Sequence, residues 1–255
     1  MINQKLISLS ALTLLTLPLL TPVAHADAKG ETILRAAFKK LGESKSMTAT
    51  LVQIIESKAL RTPVQLQGTF AAMKPNYLAI RLTAPLPDGQ AGGSIYAATG
   101  KEYFTYVYPN DEGTNTYHVE QDKANPTEFA GVWEAEVDAF FGGEKLLEKG
   151  TPEFSKVEKV GKISYDVVLM KMKPVGGNPV RTLTYYVGQK DKLIHRASYD
   201  TLITGNISGI QTNVLTDINL NAEKKPSDFA YTPPKESRKF VLKKKREVIF
   251  AHYRP

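Results

Sequence analysis

Cysteine is absent from all 255 residues. That excludes disulfide staples, and it removes the acyl-accepting cysteine that a bacterial lipoprotein signal needs at its cleavage point. Histidine is scarce, present only as His25, His118, His195 and His252. No zinc-ligand spacing occurs. No serine stands in a nucleophile-elbow pattern. Gly89 to Gly93 lacks the strand-turn-helix setting of a dinucleotide-binding loop. The chain therefore reads as a non-enzyme, with no cofactor and no metal. Internal repeats, low-complexity runs and linkers are missing too.

Long apolar runs are also missing, with one exception. Leu6 to Leu20 is apolar behind Lys5, is broken by Pro18, and is followed by Ala24-His25-Ala26. A short apolar stretch after a positive start, ending in small residues, is a secretory signal, and it is too short for a comfortable membrane span. Residues 1–26 are expected to be removed, leaving a periplasmic or secreted chain that starts at Asp27.

The net charge of +7 is not spread evenly. Residues 27–234 hold 24 basic and 24 acidic side chains, whereas residues 235–255 hold eight basic and two acidic ones. A neutral body excludes a domain-wide nucleic-acid footprint. The sequence thus divides into a leader (1–26), one domain (27–234) and a basic tail (235–255). In the tail, Lys243 to Arg246 lie between Phe240-Val241-Leu242 and Val248-Ile249-Phe250. That pattern suits an anionic membrane surface or an acidic partner. It equally suits a solvated terminus or an added edge strand.

What the domain has in abundance is period-two alternation. Ile33, Leu34, Ala37, Phe38 and Leu41 first mark an amphipathic helix that stops at Gly42. Strands follow. Val64, Leu66, Gly68, Phe70 and Ala72 share one face, as do Leu78, Ile80 and Leu82. A hairpin turns at Thr99-Gly100. Residues 127–149 break the pattern, placing Phe129, Val132, Trp133, Val137, Phe140 and Phe141 near helical spacing before Gly142-Gly143 interrupts. Strands then resume. In the last, Ile210, Val214, Ile218 and Leu220 are expected on the apolar face, with Gln211, Asn213, Asp217 and Asn219 on the polar one. Short connections favour an antiparallel meander.

Three stretches, in order, carry a resemblance: Gly68 to Leu78 with its Lys74-Pro75-Asn76 turn, the hairpin from Ala98 to Tyr106, and Asp228 to Pro234 near the end of the domain. Together they resemble the LolA-like outer-membrane lipoprotein carrier superfamily. The resemblance implies a mainly antiparallel α+β fold. It is a strongly curved, open half-barrel with an N-terminal helix and a helical lid inserted between strands. It also implies an apolar cavity for the acyl chains of lipoproteins or lipids, with residues 129–147 as the lid region. The carrier proper has an arginine before the proline as a lid latch; this chain has Lys74, a point charge on a flexible stem.

On this reading Phe70, Leu78, Ile80, Phe104, Trp133, Phe140 and Phe141 line the ligand site and Lys74 contacts the lid. The same residues would also serve as ordinary core. Two functions fit: a carrier in envelope lipoprotein or lipid transport, and a sensor or regulatory binding module of the same fold that does not transport.

Overall fold

The computed structural model describes residues 27–57, 62–85, 91–108, 116–121, 134–173, 181–203, 206–233, 235 and 237–241. One helix, α1 (Ala28–Glu43), precedes six strands: β1 (Ser46–Ser57), β2 (Val64–Met73), β3 (Tyr77–Pro85), β4 (Ala91–Thr99), β5 (Glu102–Tyr108) and β6 (Thr116–Gln121). The insert follows as α2 (Glu134–Gly142) and a 3₁₀ segment (Gly143–Lys149). Five more strands come next: β7 (Gly150–Val160), β8 (Ile163–Met172), β9 (Thr182–Gly188), β10 (Ile194–Ile203) and β11 (Asn206–Leu220). A short 3₁₀ turn (Pro226–Phe229) and β12 (Arg238–Val241) complete the order.

The twelve strands among the described residues form one sheet, ordered β12-β6-β5-β4-β3-β2-β1-β11-β10-β9-β8-β7. Two antiparallel meanders, β1 to β6 and β7 to β11, join where β11 pairs with β1. The edge strands β12 and β7 do not meet, so the sheet is open. The larger hydrophobic core takes residues from β1 to β5, from β8 to β11 and from both helices. One sheet can surround one core in this way only by curling its apolar face around the helices. This is the half-barrel expected from the sequence. Gly68 shows how tightly the sheet closes: a Cβ there would lie 1.7 Å from the Arg81 carbonyl oxygen. A strand glycine commonly marks such a close backbone approach.

The one departure from the meander is β12, which pairs in parallel with β6, Phe240 opposite His118. The basic tail therefore begins by adding an edge strand. Its Lys243 to Arg246 run lies outside the described residues.

Helix α1 crosses the hollow and is held at both ends. Asp27 caps it: Oδ1 accepts from the Lys29 amide at 3.1 Å, and Oδ2 accepts from the Phe154 amide of β7 at 2.8 Å. Lys29 lies 3.3 Å over the Phe154 ring. Leu34, Ala37, Phe38 and Leu41 form the buried stripe, and Phe38 meets Tyr185 of β9 edge-on at 5.6 Å. The far end of α1 is held by Lys74, described below.

The third family-like stretch lies on the other side of the sheet. Phe229 packs on Tyr77 with ring centroids 5.6 Å apart, and Tyr231 meets Phe104 at 5.4 Å.

Candidate functional site

The inserted helix is buried nearly all round rather than along one stripe: Ala135, Val137, Ala139 and Phe140 are each 0% exposed. It packs against α1, and its 3₁₀ extension is tied to α1 by Arg35, which donates to Glu144 at 2.7 Å and to Glu31 at 2.5 Å. On the same insert, Asp138 pairs with Lys149. A helix buried all round needs cover on every side, which the concave face of the sheet and α1 supply together.

Phe70, Leu78, Ile80 and Phe140 come together in the core beneath the helices. Strand pairing explains the first three: Phe70 sits opposite Ile80, and Ala72 opposite Leu78, all on the concave face. Phe141 is partly buried and packs on the same core, meeting Phe140 at right angles with centroids 4.9 Å apart. In this conformation these side chains fill the space between sheet and helices. Phe104 does not join them. Ala98 pairs with Tyr103, so Tyr103 and Thr105 face inward. Phe104 belongs with Ala97, Ile95 and Tyr231 in a smaller cluster on the convex face. Trp133 lies outside the described residues.

Lys74 reaches both helices. Its Nζ donates to the Leu41 carbonyl at 3.2 Å, which also accepts from the Ser44 amide, and to the Gly42 carbonyl, so it engages two carbonyls of the last turn of α1. It also sits over the Phe140 ring of α2, 4.9 Å from the centroid. Burial holds its pKa below that of an ordinary lysine. The hydrogen bonds thus fasten α1, and only the cation–π contact reaches the insert. A Lys74→Met variant keeps the stem and loses the donors. It is expected to lose about 1–2 kcal/mol of stability, read as a lowered midpoint in urea unfolding.

The sequence reading missed a polar cluster in this interior. Gln53 of β1, Tyr199 of β10, and Gln211 and Asn213 of β11 are each at most 5% exposed. Gln211 donates to the Tyr199 hydroxyl at 2.6 Å and to Asn213 Oδ1 at 3.2 Å. Asn213 donates to the Tyr199 hydroxyl at 3.1 Å and to Glu136 Oε1 of α2 at 3.0 Å. Gln53 donates to Asn213 Oδ1 at 3.4 Å. Glu136 is 4% exposed, and its Oε2 has no hydrogen-bond partner. Burial raises the Glu136 pKa from 4.5 to about 7, with the Asn213 hydrogen bond offsetting part of the shift. Burial, and then the nearby Glu136 carboxylate, raises Tyr199 well above the usual phenol value.

These residues face inward because of a bulge. Thr50 pairs with Thr216 but Thr48 pairs with Asn219, so β11 carries an extra residue there, and Asp217 takes a positive φ of 50°. A bulge changes which side chains share a face. Before it, Gln211, Asn213 and Leu215 are buried while Ile210 is 44% exposed. After it, Ile218 and Leu220 pack on the core. The expectation that Ile210 and Val214 share a face with Ile218 and Leu220 is corrected accordingly.

Outside this interior, a pocket of about 410 Å³ lies beside α1, with Glu31, Arg35, Glu144 and Lys145 among its lining residues. His195 Nε2 lies 2.8 Å from Asp191 and fastens the turn between β9 and β10. No group of three or more metal-ligating side chains occurs among the described residues. No helix among them is long and apolar enough to cross a membrane.

No family model matches the chain, and no curated protein matches it. Solved structures do. The lipoprotein LppX of Mycobacterium tuberculosis is 15% identical, with 78% of this chain and 98% of that one covered, at a TM-score of 0.45. LprF of Mycobacterium bovis is 11% identical, with 77% and 95% covered, at 0.46. A LolA superfamily protein of Nitrosomonas europaea is 9% identical, with 79% and 97% covered, at 0.34. Identities this low say nothing about a ligand.

Proposed function

We propose that this chain is an exported protein that binds the acyl chains of lipoproteins or lipids between the concave sheet and α2. The carrying observation is the pairing of inward apolar side chains on the concave face, among them Phe70, Leu78 and Ile80, with one short helix that buries Val137, Ala139 and Phe140 in the same core. Removing α2 from that face would open a greasy groove inside a sheet that has no second sheet to cover it.

The energetics match such a cargo. Burying a methylene is worth about 0.8 kcal/mol, so a chain of roughly sixteen carbons gains on the order of 10 kcal/mol on leaving water. That gain can displace the side chains that close the groove. Carriage of acyl chains across an aqueous compartment is the role that follows. Native mass spectrometry of the protein, purified without detergent and then offered oleate, is expected to show a one-to-one adduct. A protein that takes up no acyl ligand contradicts the reading.

A second reading, a sensor of the same fold, draws on Lys74. Its two hydrogen bonds hold α1 and not the insert, so it is a poor latch for regulated release. Transfer of a labelled lipid between two vesicle populations separates the two readings, because a sensor binds without transferring.

A further inference from the structure

The polar cluster is out of place in a groove built only to hold hydrocarbon. Five side chains, Gln53, Glu136, Tyr199, Gln211 and Asn213, lie at most 5% exposed beside leucine, phenylalanine and alanine. Each buried polar group costs stability unless it is paired, and apolar residues of similar shape would fill the space at no loss. Strand register holds four of them on adjoining rows, with Gln53 opposite Asn213 and Tyr199 opposite Gln211. The fifth, Glu136, arrives on the inserted helix and leaves Oε2 unpartnered.

We propose that this cluster is the headgroup end of the acyl groove and selects an uncharged acyl ester that carries free hydroxyls, of the monoacylglycerol class. The inference rests on the acyl-binding reading above and adds the chemistry of the head. The Gln53 amide, and the Asn213 amide once it is released from Glu136, suit an ester carbonyl, which only accepts. The open Oε2 of Glu136 suits a hydroxyl, which donates. In this conformation the Glu136 carboxylate occupies the Asn213 amide, the place a ligand's carbonyl takes when α2 shifts. A phosphate head is disfavoured, and a fatty-acid carboxylate binds through its chain but less tightly than the hydroxylated ester. Among the described residues no lysine or arginine forms an ion pair with Glu136, and the cation that influences Tyr199 electrostatically is Arg181. A second anion beside a buried carboxylate is repelled at short range.

The test compares three ligands of one chain length on the full chain: monoolein, methyl oleate and oleoyl lysophosphatidate, each titrated by displacement of a fluorescent fatty acid. Monoolein is expected to bind at least about tenfold more tightly than either of the others, the size of effect that one well-placed hydrogen bond confers. Gln53→Leu and Asn213→Leu variants, with fold checked by near-ultraviolet circular dichroism, are expected to lose that preference. Equal affinity for all three ligands, or tighter binding of the phosphate, overturns the headgroup assignment and leaves acyl binding standing. Binding of none of them, the fluorescent fatty acid included, removes both.

Discussion

Truncation of Phe140 to alanine is expected to cost about 3–5 kcal/mol of stability, the range for deleting a buried aromatic ring. The ring is 0% exposed, meets Phe141 edge-on and lies under the Lys74 ammonium. If the groove opens to admit an acyl chain, the void left by the ring is filled by alkyl carbon when ligand is present. Saturating oleate should then recover more stability in the variant than it adds to the native chain, because a ligand that binds only the folded state stabilises it. Denaturant unfolding with and without oleate reads both effects. A loss below about 1 kcal/mol would mean that Phe140 does not close the interior. A large loss that oleate leaves untouched would mean that the ring is core and nothing more.

The second large effect belongs to Glu136. Its carboxyl has a pKa near 4.5 in the unfolded chain and about 7 in the fold. Below pH 4.5 the group is protonated in both states and contributes no pH dependence. Between pH 4.5 and about 7 the unfolded chain releases the proton while the fold retains it, so stability falls as pH rises. Above pH 7 the full penalty applies, on the order of 3 kcal/mol for a shift of this size. The groups facing it are Asn213 from β11, which donates to it, and Tyr199 from β10, on which its charge acts. Glu136→Gln removes the titration. The variant is expected to be more stable than the native chain by about 3 kcal/mol at pH 8 and to match it at pH 4. Parallel stability profiles across this range would contradict the burial of the carboxylate. If α2 lifts from the sheet as the acyl-binding proposal requires, the native chain relieves the penalty by exposing the carboxylate. Amide exchange in residues 134–149 should therefore quicken with pH beyond its ordinary base catalysis, and should not do so in the variant.

How far the site was legible follows from particular residues. The stripe from Leu34 to Leu41 announced α1, and the alternation around Phe70 and Ile80 placed both on one face, because helix and strand periods are local properties. Gly142-Gly143 marked the end of α2 because the second glycine turns the chain with a positive φ of 56°. Phe104 was harder. Its strand carries aromatic residues on both faces, so hydrophobicity alone could not choose between Phe104 and Tyr103, and pairing with β4 decided it. The polar cluster was hidden by the bulge at Asp217. A strict period of two places Asn213 on the same face as Asp217 and Asn219, a wet row to the eye. One extra residue turns the first half of that row inward. Nor did any local signal pair Arg238–Val241 with Thr116–Val119, since that contact joins segments more than a hundred residues apart.

The central claim is that an acyl chain enters between α2 and the concave face. Photolabelling with a diazirine-bearing fatty acid, followed by peptide mapping, tests it most directly. Labels are expected on α2 and on the inward residues of β2 and β3, among them Phe140, Phe70 and Ile80. Labels confined to the convex side around Tyr231, or to the polar pocket beside Arg35, would contradict it.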